Sequence, residues 1–255
     1  MIKKRDWKLP ALYFFVLVSF NSCGLLLKER TVARHGVRSD DFGLPLIVYR
    51  SKHLLSSKMA ILLSGDGGWM DFNDSLAVRF TRAGYDVLGF NSRTYFWRQK
   101  TPEQTSSDFT LLIRKYSTEW KAKKIILNGY SFGADVVPFL YNRLPPDLKS
   151  KVTAVQLLSP FLSTDFKIYL TDLISTGDDD RAYKVKDEVQ KIKVPVFCFY
   201  GENESPKPLE DMKEKNIIFK LLPGDHHYTG GYRTIISSLN TPALPSAKHH
   251  RIGKR

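Results

Sequence analysis

Residues 129–133 read Gly129-Tyr130-Ser131-Phe132-Gly133, a G-x-S-x-G pattern between the apolar run "KKIILN" and the helix-like segment "ADVVPFLYNRL". Glycines on both sides let a strand and a helix approach more closely than Cβ atoms allow. The sharp turn between them thrusts the serine hydroxyl outward. Such a serine becomes a nucleophile only if a base and an acid follow it, in the chain order Ser, acid, His. The six histidines are His35, His53, His226, His227, His249 and His250. The last two lie in the tail, and His35 and His53 precede the first long apolar strands, where they read as solvated. Only "PGDHHYTG" follows a late strand read as buried, "IIFKLLP", so the base is His226 or His227, and Gly224 in a G-x-H arrangement favours His226. The acid belongs after the preceding strand, "VPVFCFYGENESP", which offers Glu202 and Glu204. Spacing from the strand-ending Gly201 favours Glu204.

An acyl-transfer serine also needs donors for the oxyanion. The N–H of Phe132 at a helix start supplies one, and the glycine loop "SGDGGW" supplies the second from Asp66 or Gly67. No G-K-[ST] follows that loop, which excludes the phosphate-cradling reading. Asp178, Asp179 and Asp180 lack a histidine or the spacing of a metal loop and read as solvated. The expectation is a hydrolase with no metal and no cofactor.

The elements that must position these groups alternate along the chain. Strands are expected at "LPLIVYR", "KMAILLSG", "YDVLGF", "KIILNGY", "TAVQLLS", "VPVFCFY" and "IIFKLLP". Helices are expected at "DSLAVRFTRAG", ending at Gly84, and at "TPEQTSSDFTLLIRKYSTEW", where Thr101, Pro102 and Gln104 form a capping box with a proline start. Further helices are expected at "GADVVPFLYNRL", near "PLEDMKE" and at "YRTIISSL". This alternation predicts an α/β fold, a mostly parallel central sheet with helices on both faces, formed by residues 44–239. In such sheets ligands bind beyond the carboxyl ends of the strands, so each loop after a strand lies on the working edge. Residues 160–193 read as a polar, acidic insertion.

The N-terminus is separate. Lys3, Lys4 and Arg5 precede the short apolar stretch "ALYFFVLVSF", which is too short to span a bilayer and reads as an export signal over residues 1–22. It ends in "FNSCG", which marks Cys23 as a lipidated first residue; ordinary cleavage to a soluble periplasmic protein is the alternative. Residues 23–43 read as a polar linker and residues 240–255 as a basic disordered tail. Cys198, the only other cysteine, falls in an apolar strand and reads as a core residue. The net charge of +13 falls to +10 without the signal, and the tail carries +4 of that. No nucleic-acid motif accompanies the remaining charge, so attraction to an anionic membrane surface, or simple solubility, explains it.

At "LSGDGGW", "GYDVLGFNS" leading into "RTYFWRQKTPEQ", "GYSFGADVVPFLYNRLP" and "LPGDHHYTGGY", the chain resembles the bacterial virulence protein J (VirJ) family, which includes the C-terminal portion of AcvB-type proteins. The resemblance spans nearly all of the mature chain. It implies an exported enzyme of the α/β-hydrolase fold, hydrolysing the aminoacyl ester of lysyl-phosphatidylglycerol, and a link to type IV secretion proteins. On that reading Arg93, in the loop after a strand, meets the lipid phosphate, while Tyr95 and Trp97 contact glycerol or acyl chains and Trp69 of the glycine loop joins the substrate site; a structural aromatic cluster of Arg93, Tyr95 and Trp97 is the alternative. Asp66 and Asp165 are candidates for the lysine ammonium groups. The "GENE" acid segment and the lipid-anchor signal depart from the family pattern. A general carboxylesterase and a non-catalytic secretion accessory are the competing functions.

Overall fold

The computed structural model describes residues 28–53, 57–169 and 181–240. The export-signal, lipidation and tail expectations, and Asp178 to Asp180, lie outside these residues. The strands are β1 (Val37–Ser39), β2 (Leu46–Tyr49), β3 (Lys58–Leu63), β4 (Tyr85–Phe90), β5 (Lys124–Tyr130), β6 (Val152–Leu158), β7 (Ser163–Thr164), β8 (Tyr183–Lys184), β9 (Val196–Gly201) and β10 (Ile217–Leu222). The α-helices are α1 (Asp71–Arg82), α2 (Ser92–Tyr95), α3 (Pro102–Glu119), α4 (Phe132–Arg143), α5 (Pro146–Lys149), α6 (Val185–Val189) and α7 (Tyr232–Ser238).

Eight strands form one sheet in the order β1-β2-β4-β3-β5-β6-β9-β10. From β4 to β10 every pairing is parallel, while β1–β2 and β2–β4 are antiparallel. The continuous apolar run of β3 serves two faces. Met59, Ile61 and Leu63 enter one core cluster with α3 and α4, and Ala60 and Leu62 enter another with Leu76 and Phe80 of α1 and Ile235 of α7. Burial on both faces is why these strands show little polar alternation.

Capping chemistry sets the helix frame. Thr101 Oγ1 accepts from the Gln104 N–H at 3.2 Å, and Gln104 Oε1 accepts from the Thr101 N–H at 3.1 Å. Gly84, with φ +85°, follows the end of α1 in the left-handed region expected of a glycine stop.

Three expectations change. Residues 28–43 are not a linker: β1 pairs with β2, and residues 30–32 pair with the glycine loop, because their polar side chains and free backbone groups find partners on the sheet edge. The "PLEDMKE" segment forms turns, not a helix, closed by Glu210 N–H to Lys207 carbonyl and Met212 N–H to Leu209 carbonyl bonds. Strand β10 lies at the sheet edge and is half-buried rather than buried.

Candidate active site

The sheet register brings the working residues together. Leu63 pairs with Gly129, Tyr130 with Leu158, Leu158 with Phe199, and Gly201 with Leu222, so the ends of β3, β5, β6, β9 and β10 lie side by side. Ser131, Ser159, Glu204 and His226 therefore emerge from adjacent strands onto one edge.

Ser131 has φ +52° and ψ −124°, a left-handed conformation that a non-glycine residue rarely holds. Its N–H donates to the Leu158 carbonyl at 2.8 Å and so ties the turn to β6. The flanking glycines are sterically required. A Cβ on Gly129 would lie 2.3 Å from the Gly133 carbonyl oxygen, and one on Gly133 2.6 Å from the carbonyl oxygens of Leu63 and Ser64.

Ser131 Oγ lies 2.9 Å from His226 Nε2, and His226 Nδ1 lies 2.8 Å from Glu204 Oε1. Glu204 Oε2 accepts further bonds from Ser159 Oγ at 2.7 Å and the Gly201 N–H at 2.8 Å. Burial pushes the Glu204 carboxyl up, but donors from His226, Ser159 and Gly201 outweigh it and hold the group below the usual carboxylate range. An ionised Glu204 only accepts, so His226 Nδ1 carries the proton and Nε2 presents its lone pair to the Ser131 hydroxyl. The alternatives left open by the sequence separate here. The His227 ring is 86% exposed, while the residue's backbone N–H donates to Asp225 Oδ1, and Glu202 is an exposed turn residue. Neither belongs to the chain of bonds from Ser131.

Three supporting residues carry no sequence signature. Ser159, itself at φ +51°, continues the β6 ladder to the Phe199 carbonyl and aims its hydroxyl at Glu204. The Tyr228 hydroxyl lies 2.6 Å from Ser159 Oγ and 3.1 Å from the Phe199 carbonyl oxygen. Tyr130 donates to the His226 carbonyl at 3.0 Å, fixing the backbone of the histidine loop from the elbow itself. That loop sits close to the β9 end because Gly201 has no Cβ; one there would stand 2.3 Å from the Asp225 carbonyl oxygen.

The glycine loop stands beside Ser131: a Cβ on Gly65 would approach Ser131 Cβ to 3.2 Å. The Gly67 N–H is engaged by Asp66 Oδ1 at 2.8 Å. Phe132 opens α4, where the first N–H groups have no intrahelical acceptor.

Several substrate-facing expectations change. Trp69 is fully buried, its indole lying against Gly89 and donating to Tyr49 Oη at 2.9 Å, so it is a core residue. Tyr95 is likewise core, packed on Phe90 and Phe96 with its hydroxyl on Asp108. Arg93 is buried and donates to the Asp66 carbonyl at 3.2 Å, so it holds the loop rather than facing solvent. Trp97 is half-buried beneath the Arg93 guanidinium. Asp165 accepts from the Ala182 N–H and lies near Arg181, which commits it to the insertion. His35, expected to be solvated, pairs with Asp74.

The fold and this arrangement define a protein of the α/β-hydrolase fold. A family model described as bacterial virulence protein (VirJ) matches residues 57–243, and the chain belongs to that family. Solved structures with similar folds include Est1E from Butyrivibrio proteoclasticus, at 16% identity and TM-score 0.57, covering 80% of this chain and 96% of that one. A putative dienelactone hydrolase from Klebsiella pneumoniae subsp. pneumoniae aligns at 12% identity and TM-score 0.58, over 81% of this chain and 98% of that one. A Paleococcus ferrophilus monoacylglycerol lipase aligns at 16% identity and TM-score 0.53, over 77% and 98%. No curated protein sequence matches the chain.

Proposed function

We propose that this protein is a serine esterase of the bacterial cell envelope that cleaves the aminoacyl ester of an aminoacylated phospholipid such as lysyl-phosphatidylglycerol. The observation that carries the hydrolytic part is the bond chain from Ser131 through His226 to Glu204 at a left-handed elbow. Ser131 Oγ attacks the ester carbonyl while His226 Nε2 takes its proton. The charge left on the carbonyl oxygen meets the Phe132 N–H and a backbone N–H of the glycine loop, from Asp66 or Gly67. His226 then returns the proton to the leaving glycerol oxygen, and water, deprotonated by His226, releases the amino acid from Ser131. Glu204 stays ionised and stabilises the imidazolium.

The substrate class rests on membership of the VirJ family and on the export signal with Cys23, which would place the enzyme at a membrane. No helix among the described residues is long and apolar enough to cross one. The named esterase and lipase among the fold neighbours accord with ester hydrolysis. The test is incubation with liposomes containing lysyl-phosphatidylglycerol, following free lysine and phosphatidylglycerol by mass spectrometry. Release that disappears in Ser131→Ala supports the proposal. An intact lipid alongside rapid cleavage of short soluble esters transfers the assignment to a general carboxylesterase, and inertness toward both leaves the secretion-accessory reading.

A further inference from the structure

The loop that runs past Ser131, residues 64–69, is gripped from two sides. On one, Arg93 donates to the Asp66 carbonyl, and Ser64 Oγ accepts from the Ser92 N–H at 3.0 Å. On the other lies a chain segment that precedes the first strand and falls before the matched family region. There the Trp69 N–H donates to the Arg30 carbonyl at 3.1 Å, and the Val32 N–H donates to the Trp69 carbonyl at 2.6 Å. Gly68 makes this approach possible: at φ +88°, a Cβ there would lie 2.3 Å from the Arg30 carbonyl oxygen.

Two side-chain ties hold the segment in place. Asn91 Nδ2 donates to Thr31 Oγ1 at 2.8 Å and to the Arg30 carbonyl at 3.2 Å. His35 reaches the buried Asp74 through its backbone N–H at 3.3 Å and its ring Nδ1 at 2.5 Å. Asp74 also accepts from Tyr49 Oη at 2.7 Å, and Tyr49 accepts from the Trp69 indole. One bonded path thus runs from His35 through Asp74 and Tyr49 to the end of the glycine loop, and a second runs along the backbone of residues 30–32.

We propose that residues 30–35 are a positioning strap of the active site, holding the glycine loop at the height where its N–H can receive the oxyanion. The inference rests on the serine-hydrolase reading above. A segment packed against the exterior of a rigid loop would matter for stability alone. Half of this loop is glycine, whose backbone freedom must be removed by its neighbours for a donor to be preorganised. Thr31 and His35 act through the loop and touch no reacting atom.

The test compares wild type, Thr31→Val, His35→Ala and the double variant of the full chain. Each is assayed for kcat and KM on p-nitrophenyl acetate, for the rate of Ser131 labelling by a fluorophosphonate, and for amide exchange at Val32 and Trp69. In the double variant both amides should exchange faster, and kcat and the labelling rate should fall about tenfold with KM unchanged, as expected for sub-ångström loss of oxyanion alignment. The His35 ring is 61% exposed, so His35→Ala folds even where the double variant does not, and shows a smaller fall of the same kind. Faster exchange with unchanged kcat and labelling overturns the proposal, as does unchanged exchange. Wild-type protein that the fluorophosphonate does not label removes instead the hydrolase reading, and the strap's role with it.

Discussion

Ser159→Ala tests whether the Glu204 environment works as its geometry implies. Glu204 receives three donors, from His226, Ser159 and Gly201, and the substitution removes the Ser159 bond at 2.7 Å without altering bulk. Ser159 is 1% exposed, so water cannot readily replace the hydroxyl. A hydrogen bond to a charged group contributes about 1.5–3 kcal/mol, so the variant should be about 2 kcal/mol less stable near pH 7. For a chain of this size that lowers Tm by roughly 4–8 °C. The same looseness leaves the His226 ring less firmly oriented, and kcat/KM should fall about tenfold. The sign with pH follows from the depressed Glu204 pKa. Its contribution is fully present above the unfolded carboxyl pKa and is lost as pH falls through the lower folded value. The Tm gap between wild type and Ser159→Ala should therefore be widest at neutral pH and shrink on acidification. Thermal unfolding at several pH values and p-nitrophenyl ester hydrolysis measure both effects. A variant with wild-type kcat/KM and a pH-independent Tm gap would refute the reasoning.

One other outcome follows from the same geometry and one from the N-terminal sequence. His226→Ala and Ser131→Ala should each lower kcat by at least about 10³-fold with the fold intact, whereas His227→Ala, an exposed ring, should stay within about threefold of wild type; the opposite ranking in esterase assays moves the base to His227. Protein expressed in a bacterial host should carry an acylated Cys23 by intact-mass analysis, and an N-terminus elsewhere in a soluble periplasmic fraction would overturn the anchor.

That Ser131, His226 and Glu204 come together was legible in the sequence because local rules mark them. A serine between glycines at a strand-to-helix junction, a histidine loop after the last strand and a glutamate after the strand before it are all patterns within a few residues. The parallel sheet was legible for the same reason: continuous apolar runs, a capping box at Thr101 and a glycine stop at Gly84 are local signals. Tertiary structure decided what depends on neighbours distant in sequence. Ser159 and Glu204 are 45 residues apart and meet because β6 and β9 pair in register. Trp69, Tyr95 and Arg93 have side chains that suit a lipid site, yet whether they face solvent depends on the packing around them. Trp69 lies in the space left by Gly89, Tyr95 in an aromatic core and Arg93 beneath the glycine loop. Residues 28–43 look like a linker because their hydrogen-bonding partners, Trp69, Asn91 and Asp74, lie tens of residues away. Periodicity records which face of an element is apolar, and only the folded chain determines which polar groups are left there to be answered.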